Sequence, residues 1–94
     1  MSLNVEKEEV SKLELGLING RYRALLFLVE KTKIDETKPF YLTNSRMLEV
    51  IKLSLKDVDN YVKKHGKHVD FIDVIKELSI LDGLYRTLNT NIYR

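Results

Sequence analysis

Residues 71–92 read FIDVIKELSILDGLYRTLNTNI, and their apolar side chains recur at alternating spacings of three and four. The series consists of Phe71, Val74, Leu78, Leu81, Tyr85, Leu88 and Ile92. This spacing places the apolar residues on one side of an α-helix over three heptads. It predicts a long third helix over 70–92, with a continuous apolar stripe that the rest of the chain must cover.

A second segment, residues 44–65, carries the same pattern. Its apolar series is Leu48, Ile51, Leu55, Val58 and Val62. Gly66 follows the segment at the position where helices often end in a residue with positive φ. The connection to residue 70 is short, and short connections join antiparallel neighbours. We therefore expect helix 2 to pair with helix 3 in an antiparallel arrangement.

The first predicted helix, residues 6–31, carries two adjacent apolar stripes. One consists of Val10, Leu13, Leu17, Gly20, Ala24 and Phe27, and the other of Leu15, Ile18, Tyr22, Leu25 and Val29. Together they exceed the arc of about 100° that a surface helix of a small domain normally buries. This helix therefore has either two neighbours within the chain or a contact with another chain.

Three small residues, Gly16, Gly20 and Ala24, stand four apart in this helix. A glycine inside a helix costs about 1 kcal/mol relative to alanine. Close approach of another helix can offset that cost, because small residues allow two backbones to come near each other. The alternative interpretation is that Gly16 or Gly20 breaks the helix into two segments.

The connection between helices 1 and 2 is predicted over 32–43. It contains turn-forming residues and the only proline, Pro39. Phe40, Tyr41 and Leu42 follow without periodicity. We interpret them as an apolar plug against the end of the bundle, or as a contact patch.

These patterns predict an all-α protein: an antiparallel three-helix bundle of long, heptad-patterned helices, completed by dimerisation. The 94 residues fit a single helical domain. Helix 3 has more apolar positions than helix 2, and helix 1 has a second apolar stripe. We therefore expect part of the apolar surface of one copy to remain uncovered by its own chain. The predicted interface consists of Leu17, Gly20, Ala24, Phe27, Phe40, Tyr41, Leu88 and Ile92.

The sequence offers little for catalysis or for cofactor binding. The absence of cysteine excludes disulfides, Cys-ligated zinc and thiol chemistry. His65 and His68 lie near Asp70 and Asp73, but their spacing does not place two ligands on one helical face. No acid–base pair and no phosphate-binding glycine motif is present. We expect a protein that is not an enzyme and has no catalytic residue, cofactor or metal.

Nucleic-acid binding is the alternative function. Helix 2 and the following turn carry basic residues on the outer side, namely Lys52, Lys56, Lys63, Lys64 and Lys67. Such a row can contact a phosphate backbone. The net charge is only +2, however, and Asp57 and Asp59 interrupt the row, which is typical of a solvated face.

The preferred function is interaction with protein, either as a homo-oligomer or as an adaptor or modulator of a larger protein. No segment reaches the roughly 18 apolar residues that a membrane span needs. The N-terminal segment is acidic rather than basic and apolar, which does not resemble a secretory signal. We expect a cytoplasmic location without membrane contact.

Overall fold

The computed structural model describes residues 9–92, and this part of the chain is all-helical. Three α-helices follow one another: α1 is Lys12–Lys31, α2 is Tyr41–His65 and α3 is Phe71–Ile92. A 3₁₀ turn, Gly66–His68, connects α2 to α3. No strand occurs between residues 9 and 92, so the prediction of an all-α, three-helix arrangement is confirmed. None of the three helices has an apolar window long enough to cross a membrane.

Helix α1 begins at Lys12 rather than at residue 6. Ser11 caps it: the Glu14 N–H donates to Ser11 Oγ at 3.1 Å, and the Ser11 N–H donates to Glu14 Oε1 at 3.1 Å. This reciprocal pair satisfies two donors at the helix start. The preceding Val10 N–H donates to the Lys67 carbonyl at 2.8 Å, which holds residue 10 outside the helix. The expected helical residues 6–8 lie outside the described range.

Helix α1 is continuous through both of its glycines. The alternative that Gly16 or Gly20 breaks the helix is therefore wrong. The helix ends at Lys31, where the Thr32 N–H donates to the Val29 carbonyl at 3.2 Å. Its 20 residues span about 30 Å.

Helix α2 begins at Tyr41, earlier than the predicted residue 44. The connection is therefore shorter than the predicted 32–43. Phe40 is the N-cap, with φ 65° in the left-handed region and no side-chain capping bond. Tyr41 and Leu42 belong to the first helical turn, and the Phe40 and Leu42 side chains are exposed. The interpretation of residues 40–42 as a buried plug is wrong, because the left-handed residue turns the chain directly into the helix.

The turn between α2 and α3 follows the prediction more closely. Gly66 has φ 57°, and its N–H donates to the Val62 carbonyl. Asp70 caps α3, since its Oδ1 accepts from the Asp73 N–H at 3.1 Å. The Asp70 N–H donates to the Tyr61 hydroxyl at 3.1 Å, which connects the turn back to α2.

The core lies between the predicted stripes of α2 and α3 and the Ile18–Val29 side of α1, which is the second of its two stripes. The buried apolar residues are Val10, Ile18, Leu25, Val29, Leu48, Ile51, Leu55, Val58, Val69, Val74, Leu78, Leu81 and Leu88. The bond from Val10 to Lys67 lies at the N-terminal end of α1. At its C-terminal end, Thr32 Oγ1 lies 2.8 Å from the Tyr85 hydroxyl. Hydrogen bonds thus connect both ends of α1 to the rest of the bundle, and α1 contacts both other helices.

Candidate interaction surface

The first apolar stripe of α1 points away from the core, except for Val10. Leu13, Leu17 and Phe27 expose 85%, 51% and 56% of their surfaces. Gly20 and Ala24 between them are also exposed. We call the set Leu13, Gly16, Leu17, Gly20, Ala24 and Phe27 the outer α1 face. It is an apolar stripe at helical spacing that no described part of the chain covers.

The glycines of the outer α1 face have no packing role within residues 9–92. A Cβ atom built on Gly16 or on Gly20 would meet no atom within 4 Å. Both residues lie inside a helix, where a glycine is less favourable than an alanine. They leave the centre line of the face without side chains, whereas Leu13 and Phe27 project at its two ends and Leu17 projects at its side.

Charged residues border the outer α1 face. Lys31 Nζ lies 4.2 Å from the centre of the Phe27 ring, a cation–π geometry. Arg21 and Arg23 are exposed on the same helix. Their aliphatic stems can cover apolar surface while the guanidinium groups stay in water. An apolar stripe with a charged border is the composition expected of a contact with protein.

The predicted interface residues divide into two groups. Leu17, Gly20, Ala24 and Phe27 lie together on the outer α1 face. Leu88 does not belong with them: it is 0% exposed in the core of its own chain and offers no surface to a partner. The reason is that α1 reaches this part of α3, where the neighbouring Tyr85 hydroxyl also donates to the Leu28 carbonyl at 3.3 Å.

The remaining predicted residues lie around the connection between α1 and α2. Phe40 and Ile92 line one cavity of about 550 Å³. Tyr41, half-buried, lies in the first turn of α2. These residues form a second region, separate in sequence and composition from the outer α1 face.

Sequence reasoning missed one buried polar residue in this second region. Asn44 lines the same cavity and is only 4% exposed. It stands four residues before Leu48, so it extends the apolar stripe of α2 by one position. A polar residue in register with an apolar seam is the signal that could have found it.

A second apolar area on α2 and α3 was also missed. Met47, Val50 and Leu84 line a shallow cavity of about 380 Å³. Leu53 and Ile80 are exposed on the same two helices. The sequence signal for this area is that these apolar residues lie outside the heptad stripes of α2 and α3, where side chains are expected to be exposed. Met47, Val50 and Leu53 stand three apart on α2, and Ile80 and Leu84 stand four apart on α3, so each helix contributes a shorter row than the outer α1 face.

Only some of the lysines predicted to contact nucleic acid lie on the same side of α2. All five are exposed, and the helical repeat places Lys52, Lys56 and Lys63 on one side of α2. Lys63 Nζ lies 2.8 Å from Asp59 Oδ2, and this hydrogen bond raises the pKa of Lys63. Lys67 Nζ, in the 3₁₀ turn, lies 3.7 Å from Glu9 Oε2. Lys64 lies on another side of α2. Nucleic-acid binding stays a prediction.

The two histidines lie apart. The His65 ring packs on the Tyr61 ring, with 4.6 Å between the ring centres. His68 Nε2 lies 3.9 Å from Glu9 Oε1. Among residues 9–92, no three histidine or carboxylate side chains are arranged to hold a metal ion.

No protein family, curated protein or solved structure matches this chain. The geometry of its exposed faces is therefore the basis for a functional proposal. Of these faces, the outer α1 face has the longest regular stripe of exposed apolar positions.

Proposed function

We propose that this protein acts through protein–protein contacts, and that its outer α1 face pairs with the same face of a second copy. The result is an antiparallel three-helix bundle completed as a homodimer. The observation that carries this proposal is the exposure of Leu13, Leu17 and Phe27 on one side of α1. A contiguous apolar stripe on a small protein usually marks an interaction site.

The outer α1 face is complementary to itself. If two α1 helices cross in opposite directions at Gly20, Leu13 of one copy lies opposite Phe27 of the other. Gly16 then lies opposite Ala24, because the members of each pair are equally distant from Gly20 along the helix. Large side chains meet at the two ends, small residues meet along the centre, and Leu17 lies at the side of the contact. This is the relation that a two-fold, isologous interface requires.

The same pairing gives the glycines a role. Among residues 9–92, no atom lies within 4 Å of a Cβ built on either glycine, so their cost of about 1 kcal/mol each brings no benefit within that part of the chain. Between two copies, the absence of side chains at Gly16 and Gly20 lets the helix backbones come closer than the usual 8–10 Å. The added contact area offsets the lost helix propensity.

Hydrogen bonds at the ends of α1 support the antiparallel course of the bundle. Val10, before α1, bonds to Lys67 in the turn between α2 and α3. Thr32, after α1, bonds to Tyr85 near the end of α3. In this course, the chain runs up α1, down α2 and up α3. Within residues 9–92, it leaves one side of α1 uncovered, and this side is available to the second copy.

The experiment that tests the proposal is light scattering behind a sizing column over a concentration series. We expect the native chain to show twice the mass of one chain. Leu17→Glu should show the mass of one chain, because a carboxylate cannot be buried unpaired in an apolar contact. Circular dichroism should show that its helices are retained.

Leu53→Glu is the matched control. Leu53 lies on α2 and is 56% exposed, close to the 51% of Leu17. It should keep the dimer. A monomeric native chain would contradict self-association, and a dimer lost with Leu53→Glu but kept with Leu17→Glu would move the interface to α2.

A further inference from the structure

A cavity of about 550 Å³ lies where the α1–α2 connection, the start of α2 and the end of α3 meet. Its volume is in the range of small-molecule sites. The apolar part of its lining consists of Ile34, Pro39, Phe40 and Ile92. Asp35 and Lys38 contribute one charge of each sign, so the lining favours neither an anion nor a cation. None of these residues belongs to the outer α1 face.

The wall of this cavity is held in place by its own hydrogen bonds. Asp35 Oδ1 accepts from the Thr37 N–H at 2.9 Å and from Thr37 Oγ1 at 2.6 Å. The Lys38 N–H donates to the Asp35 carbonyl at 3.2 Å. These bonds close the connection into a defined turn. The cavity is therefore formed before any ligand binds, which lowers the ordering cost of binding.

Asn44 is the unusual member of the lining. It is 4% exposed, and its Oδ1 accepts no hydrogen bond from any residue between 9 and 92. A buried acceptor without a partner is unfavourable, and an apolar residue at this seam position would avoid the penalty. The amide can rotate about χ2, a broad sp³–sp² torsion, which turns Oδ1 towards the cavity. The side chain is thus suited to accept a hydrogen bond from a molecule inside it.

Phe40 adds a second unusual feature at the same place. It adopts φ 65°, although a bulky residue rarely occupies the left-handed region. Backbone strain of this kind concentrates at functional sites. The conformation keeps the aromatic ring exposed at the border of the cavity rather than in the core.

We propose that this cavity binds a small, neutral and mainly apolar molecule that carries one hydrogen-bond donor, such as an indole or a phenol. Its ring packs against Ile34, Pro39 and Ile92, and its N–H or O–H group donates to Asn44 Oδ1. The Phe40 ring covers the open side. This site contains no residue of the outer α1 face, so the binding proposal does not depend on the dimer proposal.

Two probes of equal shape test the proposal on the full chain. Indole has an N–H donor, whereas benzofuran has an oxygen in its place. We expect NMR titration to show indole shifting the amide signals of residues 34–44, with benzofuran binding about tenfold more weakly. An absence of shifts at saturating indole, or equal affinity for both probes, would overturn the proposal. Equal affinity is the result expected if water satisfies Asn44.

The Asn44→Leu variant provides an independent readout. It should bind the two probes equally, and its unfolding temperature should rise because the unpartnered acceptor is gone. Asn60→Leu, at an exposed position of the same helix, should keep the preference for indole. If Asn44→Leu instead changes the mass of the particle, the cavity receives a side chain of another copy, and the small-molecule proposal is wrong.

Discussion

Gly20 lacks a side chain in a helix where an alanine would fit without meeting any atom within 4 Å. Alanine at Gly16 or Gly20 should therefore stabilise the isolated chain by about 1 kcal/mol per site. In the proposed dimer, the same methyl groups separate the two helices and should weaken association at least tenfold. Urea unfolding of the dilute protein and sedimentation of the concentrated protein measure these two opposite effects.

Gly83→Ala is the matched control for this pair of effects. Gly83 is an exposed glycine inside α3, also with no atom within 4 Å of a built Cβ. Its replacement should stabilise the chain to a similar extent and leave association unchanged. If Gly20→Ala also left association unchanged, close approach at Gly20 would be excluded.

Phe40 allows a second prediction at the level of one residue. Glycine tolerates φ 65°, whereas any residue with a Cβ pays about 1–2 kcal/mol for it. We expect Phe40→Gly to be more stable than Phe40→Ala by about 1 kcal/mol, although glycine is the more flexible residue when unfolded. Both changes remove the exposed ring. The difference in free energy of unfolding between the two variants, measured by chemical denaturation, therefore reports the backbone strain at residue 40. The reverse order would show that φ is not strained.

These residues also show what local sequence can predict. The Ser11 and Glu14 pair has the spacing of a capping box, so the sequence contains a signal for the start of α1 at Lys12. Gly66 was predicted correctly because glycine is the residue that positive φ favours. Phe40 could not be predicted, because no glycine or asparagine marks the position and the conformation depends on the closed turn before it.

At the level of the helix, the hydroxyl of Tyr85 connects α3 to the end of α1. It lies 2.8 Å from Thr32 Oγ1 and 3.3 Å from the Leu28 carbonyl. Tyr85→Phe should lower the free energy of unfolding by about 1 kcal/mol and speed amide exchange in the last turn of α1. Hydrogen exchange read by NMR measures both quantities.

Tyr41→Phe is the control for Tyr85. Tyr41 is also half-buried, and no hydrogen bond of its hydroxyl is found within residues 9–92. Its replacement should change stability by less than about 0.5 kcal/mol. Equal losses for the two variants would mean that the Tyr85 bonds do not contribute to holding α1.

The helices themselves were predictable to different degrees. The stripes of α2 and α3 identify the core positions because each of these helices has one apolar series at alternating spacings of three and four. Helix α1 has two, and periodicity alone could not say which side turns inward. In the structure, the stripe with Ile18, Leu25 and Val29 faces the core, because these bulky side chains bury more apolar area than Gly20 and Ala24 can.

For the whole molecule, the proposed two-fold axis at Gly20 makes a prediction about cross-linking. The chain contains no cysteine, so one introduced thiol reports on its own position. Gly20→Cys should form a disulfide-linked dimer under mild oxidation, although its side chain weakens reversible association, because oxidation traps each pair in which the axis brings the two positions within the 4.4–6.8 Å that Cα atoms of a disulfide span. Gels under non-reducing conditions measure the yield.

Gly83→Cys is the corresponding control, since it places a thiol at an exposed helical glycine of α3. It should cross-link only slowly, by collision. Equal rates for the two thiols, in a chain that light scattering shows to be a dimer, would place the axis away from Gly20.

The two bonds that hold the ends of α1 also affect which folded state the chain reaches. A helix with two apolar sides has two competing orientations, because rolling about its own axis exchanges the side that faces the core. The bond from Val10 to Lys67 and the bond from Thr32 to Tyr85 are both made in the orientation that the structure adopts. They add to the preference that the larger apolar area of the stripe with Ile18, Leu25 and Val29 already gives, and so reduce frustration in the landscape. A polar contact at each end of α1 thereby reinforces the orientation that apolar burial favours.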